Sequence, residues 1–407
     1  MRPCHLVVVG ASLAGVRTVE ALRRNGFDGE LTLLGDETHL PYDRPPLSKE
    51  VLRGHVEPAA TELRNAQDLY RLGVQLRLGE RAEHLDLPAR QLHTDRGATV
   101  GFDELVVATG SVPRTLPGAD LPGAHTLRTR DDAIRLRASL TQVERPRVVV
   151  VGARFLGGEI AASCCALGLD VTLLEPGAQL LAGYGPAISS IYAQLHRDNG
   201  VAVHCGRRAV GVVGEVRARG VLLDDGDIVP GDVVVLAIGS RPATSWLEGS
   251  GLTLDDGIVC DASLRAAQHV HAAGDVARWW SSRYGQLQRV EHWTNAVEQA
   301  RTVARDVVTG RATHDSIPYA WSDQYGSRLQ ASGTFASASI ARGWRVPGSQ
   351  TSAIGIVGTP GSVTGVAGLD TTPRFLRLRA LLAQTSDWAA FEAAVSDLTA
   401  STPSYSH

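Results

Sequence analysis

The hydrophobic positions along this chain spell one phrase twice. His5–Val9 is an apolar, β-branched run that breaks into Gly10-Ala11-Ser12-Leu13-Ala14-Gly15, and apolar residues then recur at helical spacing through Val19 and Leu22. A second apolar run, Leu31–Leu34, closes on Gly35-Asp36-Glu37. Further along, Val148–Val151 enters Gly152-Ala153-Arg154-Phe155-Leu156-Gly157, a helical pattern runs through Ile160, Ala161, Cys164 and Leu167, and Val171–Leu174 ends at Glu175. Short apolar runs bounded by glycine predict buried parallel strands, and the 3.6-residue spacing between them predicts helices. Strand, glycine turn, helix, strand and then an acid about 20 residues on is the pattern of a dinucleotide-binding βαβ unit.

The chemistry of the pattern is local. The first glycine permits the tight turn and the last lets the helix pack closely on the strand, while the helix N-terminus offers free N–H groups to a pyrophosphate. The closing acid accepts hydrogen bonds from ribose hydroxyls. Neither copy is intact, because the middle glycine is Ser12 in the first and Arg154 in the second. Ser12 is a mild change. Arg154 either holds the backbone back from the pyrophosphate or contacts it through the guanidinium.

Other runs complete each half. Phe102–Ala108 leads into Thr109-Gly110, Asp232–Ile238 into Gly239-Ser240, and His269–Ala272 into Ala273-Gly274-Asp275. The predicted architecture is α/β, with two Rossmann-like dinucleotide-binding domains, the second inserted in the first. Residues 1–112 and 243–315 form the first and 113–242 the second. From residue 316 the pattern changes to short strands (Leu329–Gly333, Ser352–Val357, Ser362–Leu369) and two amphipathic helices (Pro373–Ala383, Ser386–Leu398). This predicts a small α+β domain over 316–398, followed by a flexible tail, 399–407.

Composition narrows the function classes. The 407 residues, 43% hydrophobic and 20% charged, are those of a globular protein, and the length calls for more than one domain. No apolar run reaches the ~18–20 residues of a membrane span, and the segment before His5 has no apolar leader, so a cytoplasmic protein is expected. A net charge of −3 gives no reason to expect nucleic acid or a membrane surface as partner. The five cysteines (Cys4, Cys164, Cys165, Cys205, Cys260) include no C-x-x-C or C-x4-C pair, which argues against a metal site, an iron–sulfur cluster or a dithiol relay. Of the 40 basic residues one alone is lysine, Lys49. A lysine kept among arginines marks a position where a compact ammonium is needed and a planar fork is not.

Several segments resemble one family. Pro41-Tyr42-Asp43-Arg44-Pro45-Pro46-Leu47-Ser48-Lys49, Ala108-Thr109-Gly110, Leu127-Arg128-Thr129, Ala273-Gly274-Asp275, Glu291–Ala300 and Trp321-Ser322-Asp323-Gln324-Tyr325 resemble the FAD-dependent NADH:ferredoxin reductases of bacterial cytochrome P450 and Rieske oxygenase systems. The resemblance covers essentially residues 5–385 and implies a glutathione-reductase-like architecture, with FAD in the first unit and NADH in the second. It implies that Gly10, Ser12, Ala14 and Gly15 lie at the FAD pyrophosphate, and Asp36 at the adenosine ribose. Ala82 would receive the adenine through its backbone, Arg128 and Lys49 would touch the flavin nucleotide, Asp275 the ribityl chain, and Trp293 the isoalloxazine ring.

In the second unit Gly152, Arg154 and Gly157 form the turn. Glu175, with no arginine beside it in sequence, favours NADH because a carboxylate repels a 2′-phosphate; Arg207 and Arg208 bear on this only if folding brings them close. The resemblance also places the Glu159 carboxylate at the nicotinamide, paired with Lys49. A one-electron acceptor, a [2Fe–2S] ferredoxin, is the expected partner, and Arg283, Arg289 and Arg328 are candidates for steering it. Two other readings share the architecture: a pathway-specific oxidase or reductase acting on oxygen or a small molecule, and a redox-sensing flavoprotein like apoptosis-inducing factor.

Overall fold

The computed structural model describes residues 4–335 and 338–400. Its contacts divide the chain into two compact units. The first comprises the chain up to Asp43, Ala59–Val112 and Ser240–Pro318; the second comprises Arg44–Pro58, Pro113–Gly239 and the chain from Tyr319 on.

In the first unit, His5–Val9 is the centre of a six-stranded sheet, pairing in parallel with Glu30–Gly35 on one side and Glu104–Val107 on the other. Leu6, Val7 and Val8 are fully buried, as strands covered on both faces require. The helices Leu13–Arg24 and Trp293–Thr309 pack on each other. A three-stranded antiparallel sheet, Ala82–Asp86, Gln91–Thr94 and Thr99–Gly101, is added between the parallel strands.

The second unit repeats the scheme. Arg147–Val151 pairs in parallel with Asp170–Glu175 and with Val233–Leu236, and the helix Phe155–Ala166 packs on the first two of these strands. A three-stranded antiparallel sheet, Ala209–Val213, Gly220–Leu223 and Ile228–Pro230, is again added. A five-stranded antiparallel sheet runs in the order Tyr319–Gln324, Ser327–Gly333, Ser362–Leu369, Ala353–Thr359, Ile340–Arg345, followed by the helices Thr372–Leu382 and Trp388–Ala400.

The expectation from sequence differs from the structure in more than the unit boundaries, which fall at Ser240 and Tyr319 in place of 243 and 316. First, the C-terminal sheet does not stand apart from the inserted nucleotide unit: the helix Pro186–Asp198 packs on Ile340–Arg345 and Ala353–Thr359. Glycines make that approach close, since a Cβ on Gly343 would lie 2.8 Å from Ala187 N and one on Gly355 would lie 3.0 Å from Ile188 Cδ1. Second, Arg44–Pro58 belongs to the second unit. Ser163 Oγ donates to the Ser48 carbonyl at 2.6 Å, and Arg44 Nη1 donates to the Arg128 carbonyl at 2.7 Å. Third, the last helix runs to Ala400, so Thr399 and Ala400 are helical; the rest of the expected tail, 401–407, lies outside the described residues.

Candidate functional site

The two glycine turns are built alike. Gly10 ends the central strand at φ +115°, and a Cβ there would meet the Ala108 carbonyl oxygen at 2.2 Å. Gly15 faces the turn from the first helical residues, where a Cβ would lie 2.0 Å from the Gly10 carbonyl oxygen. In the second unit Gly152 has φ +97° and Gly157 would place a Cβ 1.8 Å from the Gly152 carbonyl oxygen. No other residue fits at these four positions without moving backbone.

The helices that follow are open to an anion. Leu13–Arg24 and Phe155–Ala166 have no side-chain capping hydrogen bond and no acid in the first turn, although their N-cap positions are held by Ser12 and Arg154. Their first N–H groups and the positive end of the helix dipole are thus left for a ligand. Arg154 is exposed, so its side chain does not fill the turn, and the backbone approach survives the loss of the middle glycine. Each turn is a cradle that a dinucleotide pyrophosphate fits.

The acids lie where the spacing puts them, with different surroundings. Asp36 is exposed just past the strand Glu30–Gly35. Glu175 is half-buried, and its carboxylate accepts from Ala153 N at 3.2 Å and Gly177 N at 3.0 Å. Those bonds hold the carboxylate against the glycine turn. The backbone N–H of Arg207 donates to the Glu175 carbonyl at 3.2 Å, but the Arg207 side chain turns to Asp227 at 2.8 Å and Asp225 at 3.2 Å. Arg208 lies 4.0 Å from Asp224. Folding brings Arg207 beside Glu175 and leaves its charge spent on a neighbouring hairpin.

Elsewhere in the first unit, Ala82 begins an edge strand and is 5% exposed. Gly274 (φ +80°) approaches Ala14 so closely that a Cβ would lie 3.0 Å from the Ala14 Cβ, and its N–H donates to Gln299 Oε1 at 2.7 Å. That turn presents Asp275, whose Oδ2 accepts from Ser111 Oγ at 3.0 Å. Trp293 opens the helix Trp293–Thr309, half-buried, with Nε1 donating to Asp43 Oδ1 at 2.8 Å.

The second unit holds a buried ionic centre. Glu159, 7% exposed, takes Lys49 Nζ at 2.7 Å and Ser48 Oγ at 2.6 Å on Oε2, and Ser322 Oγ at 2.7 Å on Oε1. Lys49 Nζ also donates to the Pro45 carbonyl at 3.2 Å. The pairing of Lys49 with Glu159 joins residues far apart in sequence, and the chain's one lysine is its cationic partner. Ser48 and Ser322 were absent from the sequence-based set: a serine carries no pattern that distinguishes a donor to a buried carboxylate from any other. Arg128 is half-buried in this unit, its N–H donating to Asp132 Oδ2 at 3.0 Å.

The three arginines expected to steer an acidic partner are each neutralised. Arg283 pairs with Asp315 at 3.1 Å, Arg289 with Asp256 at 3.2 Å and with Glu291, and Arg328 with Asp323 at 2.7 Å. An arginine paired with a carboxylate presents less net positive charge to an acidic partner than an unpaired one.

All five cysteines are free. Burial raises the Cys164 thiol to about 12 and also raises those of Cys165, Cys205 and Cys260, so these thiols resist ionisation. Among the described residues no group of three or more His, Cys, Asp or Glu side chains could hold a metal ion, and no helix is long and apolar enough to cross a membrane.

Two dinucleotide cradles, each at the carboxyl end of a parallel sheet, define a pyridine-nucleotide flavoprotein fold. Residues 4–300 match the family described as pyridine nucleotide-disulphide oxidoreductase, and the chain belongs to that family. It is 37% identical over 345 residues to rhodocoxin reductase of Rhodococcus erythropolis, covering 82% of this chain and 79% of that protein. It is 34% identical to the ferredoxin–NAD(+) reductase subunit of the benzene 1,2-dioxygenase system of Pseudomonas putida, covering 81% of this chain and 80% of that one. Among solved structures, a ferredoxin reductase from Rhodopseudomonas palustris matches with TM-score 0.86 and 32% identity, over 96% of this chain and all 100% of that one. The covalent putidaredoxin reductase–putidaredoxin complex matches with TM-score 0.87 and 29% identity, over 98% of this chain and 100% of the matched chain.

Proposed function

We propose that this protein is an NADH:ferredoxin reductase, a flavoprotein that takes hydride from NADH onto FAD and passes single electrons to a [2Fe–2S] ferredoxin serving a cytochrome P450 or Rieske oxygenase. The observation that carries the reading is the pair of nucleotide cradles in a chain whose cysteines are free and, where buried, held protonated. A family named for disulphide chemistry here lacks the C-x4-C dithiol, and the electrons leave by another route. The relative named as the ferredoxin–NAD(+) reductase subunit of a dioxygenase system supports a ferredoxin as that route.

FAD, when bound, supplies two-electron acceptance from nicotinamide and one-electron release. The chain's own residues bind and orient. In the first unit the turn Gly10–Gly15 with Ser12 and Ala14 takes the FAD pyrophosphate, Asp36 the adenosine ribose, Ala82 the adenine and Asp275 the ribityl hydroxyls, with Trp293 at the ring. The resemblance assigns Lys49 and Arg128 to the flavin nucleotide. In the second unit Gly152, Arg154 and Gly157 take the NADH pyrophosphate and Glu175 the ribose, its carboxylate fixed by two backbone N–H groups. Glu159 and Lys49 would form the charged pair at the nicotinamide end, where a fixed ion pair orients the ring beside it. The four buried or half-buried free thiols suit a reducing cytoplasm.

Coenzyme choice tests the reading. Purified protein should carry non-covalent FAD, and anaerobic NADH should bleach it at least about tenfold faster than equal NADPH, because Glu175 repels a 2′-phosphate and Arg207 is paired elsewhere. Equal rates with the two coenzymes, or protein that binds no flavin, would overturn the assignment.

A further inference from the structure

The strand Tyr319–Gln324 turns polar side chains inward. Its alternate residues Ala320, Ser322 and Gln324 are buried, Ser322 at 1% exposure and Gln324 at 5%. Burying a hydroxyl and an amide costs free energy unless each is matched by a partner; here the hydroxyl and the amide nitrogen are matched, while Gln324 Oε1 has no hydrogen-bond partner.

Ser322 has one proton, and Glu159 Oε1, 2.7 Å away, can only accept it. The Ser322 oxygen must then accept from elsewhere. Gln324 Nε2, at 2.9 Å, is that donor, and it also donates to Tyr192 Oη at 3.1 Å. The opposite orientation of the amide would set Ser322 between two acceptors with one proton to share. Chemistry therefore fixes the amide with nitrogen toward Ser322. Gly158 makes room: a Cβ there would lie 2.0 Å from Tyr192 Oη and 2.7 Å from Gln324 Oε1. The glycine immediately before Glu159 is thus what lets the strand's polar pair reach the carboxylate.

On the other side, Ser48 Oγ and Lys49 Nζ share Oε2. With Oε1 held by Ser322, the carboxylate cannot rotate without losing a charge-assisted hydrogen bond. We propose that Ser322 and Gln324 are positioning residues: Gln324 fixes the Ser322 proton on Glu159, and the carboxylate so held fixes the Lys49 ammonium. The effect on hydride transfer rests on the function proposed above; the effect on Lys49 does not.

The single lysine gives a direct readout. Acetylation of FAD-loaded protein by a water-soluble amine-reactive ester, followed by peptide mass spectrometry, reports Lys49 as the only lysine peptide, separate from the N-terminal amine. Ser322→Ala should react at Lys49 several-fold faster than wild type, roughly three- to tenfold. Ser322→Thr, which keeps the hydroxyl, should react like wild type. Gln324→Glu, close in shape, competes for the Ser322 proton and should behave like Ser322→Ala even if that variant folds poorly.

With the proposal, stopped-flow flavin reduction slows in parallel, while the NADH concentration giving half-maximal rate changes less than about twofold. Wild-type Lys49 reactivity in both Ser322→Ala and Gln324→Glu overturns the positioning role. Raised reactivity with unchanged hydride transfer upholds the positioning and instead removes the Lys49–Glu159 pair from the reaction.

Discussion

Replacing Lys49 by methionine is expected to slow anaerobic reduction of the bound flavin by NADH by about two orders of magnitude, the size of effect seen when one fixed electrostatic donor is removed from a water-poor site. The Lys49 and Glu159 side chains are 15% and 9% exposed, and their charged ends are 2.7 Å apart. Removing the ammonium strands the carboxylate with two serine hydroxyls in place of a cation. Breaking a buried pair in this way costs about 3–5 kcal/mol, and the two remaining donors keep this case near the lower end.

Stability and rate then separate in the double variant Lys49→Met/Glu159→Gln. A neutral amide can accept from one serine and donate to the other, so urea unfolding should recover most of the lost stability while the rate stays low. Stopped-flow absorbance and urea melts measure the two quantities. A single variant that reduces its flavin within about threefold of wild type would show the pair to be structural only.

The second large effect is acid lability with a defined window. His196, fully buried in the second unit, and His314, 2% exposed in the first, are each pushed down by burial to about 4. His196 is packed edge-on against Tyr192 and Tyr325 and shares a hydrogen bond with Tyr325 Oη at 2.9 Å; His314 is edge-on to Trp279. In the unfolded chain both titrate near the ordinary value of about 6.5. Between those values the unfolded state binds more protons than the folded one, so stability falls as pH drops from about 6.5 to about 4. A full shift of this size is worth about 3 kcal/mol per histidine at the acid end.

Asp306 acts in a lower window. Burial alone would raise its carboxyl, but hydrogen bonds and charge from His271 and Arg265 prevail and lower it to about 2. The stability it contributes is present above about 4 and lost as pH falls toward 2. Urea midpoints at successive pH values should therefore fall first between 6.5 and 4, and His196→Gln or His314→Asn should each flatten that fall. A midpoint unchanged from pH 7 to pH 4 would contradict the buried neutral histidines.

The parts of this protein legible in its sequence were those where one physical requirement dominates. His5–Val9 and Val148–Val151 are buried on both faces, so they read as continuous apolar runs. The four glycines at the turns are demanded by backbone contacts that no side chain can share. The strand Tyr319–Gln324 was hidden because its inward residues include Ser322 and Gln324, and alternation of polarity cannot reveal a strand that buries polar groups. Ile340–Arg345 was hidden for the converse reason: as an edge strand carrying Arg342 and Arg345 it is largely exposed.

The site divided in the same way. Lys49 and Glu159 could be paired from composition and resemblance, whereas the serines that complete the carboxylate's shell are visible only once the strand is placed. The arginines Arg283, Arg289 and Arg328 looked available in sequence because their carboxylate partners are not marked there.

The central claim is that electrons leave this protein singly to a ferredoxin. Its most direct test is steady-state NADH oxidation with cytochrome c as reporter, measured with and without a [2Fe–2S] ferredoxin. The account predicts cytochrome c reduction that rises at least about tenfold on adding ferredoxin and saturates with it, with slow oxygen consumption in its absence. Rapid NADH oxidation by oxygen alone, unchanged by ferredoxin, would contradict it.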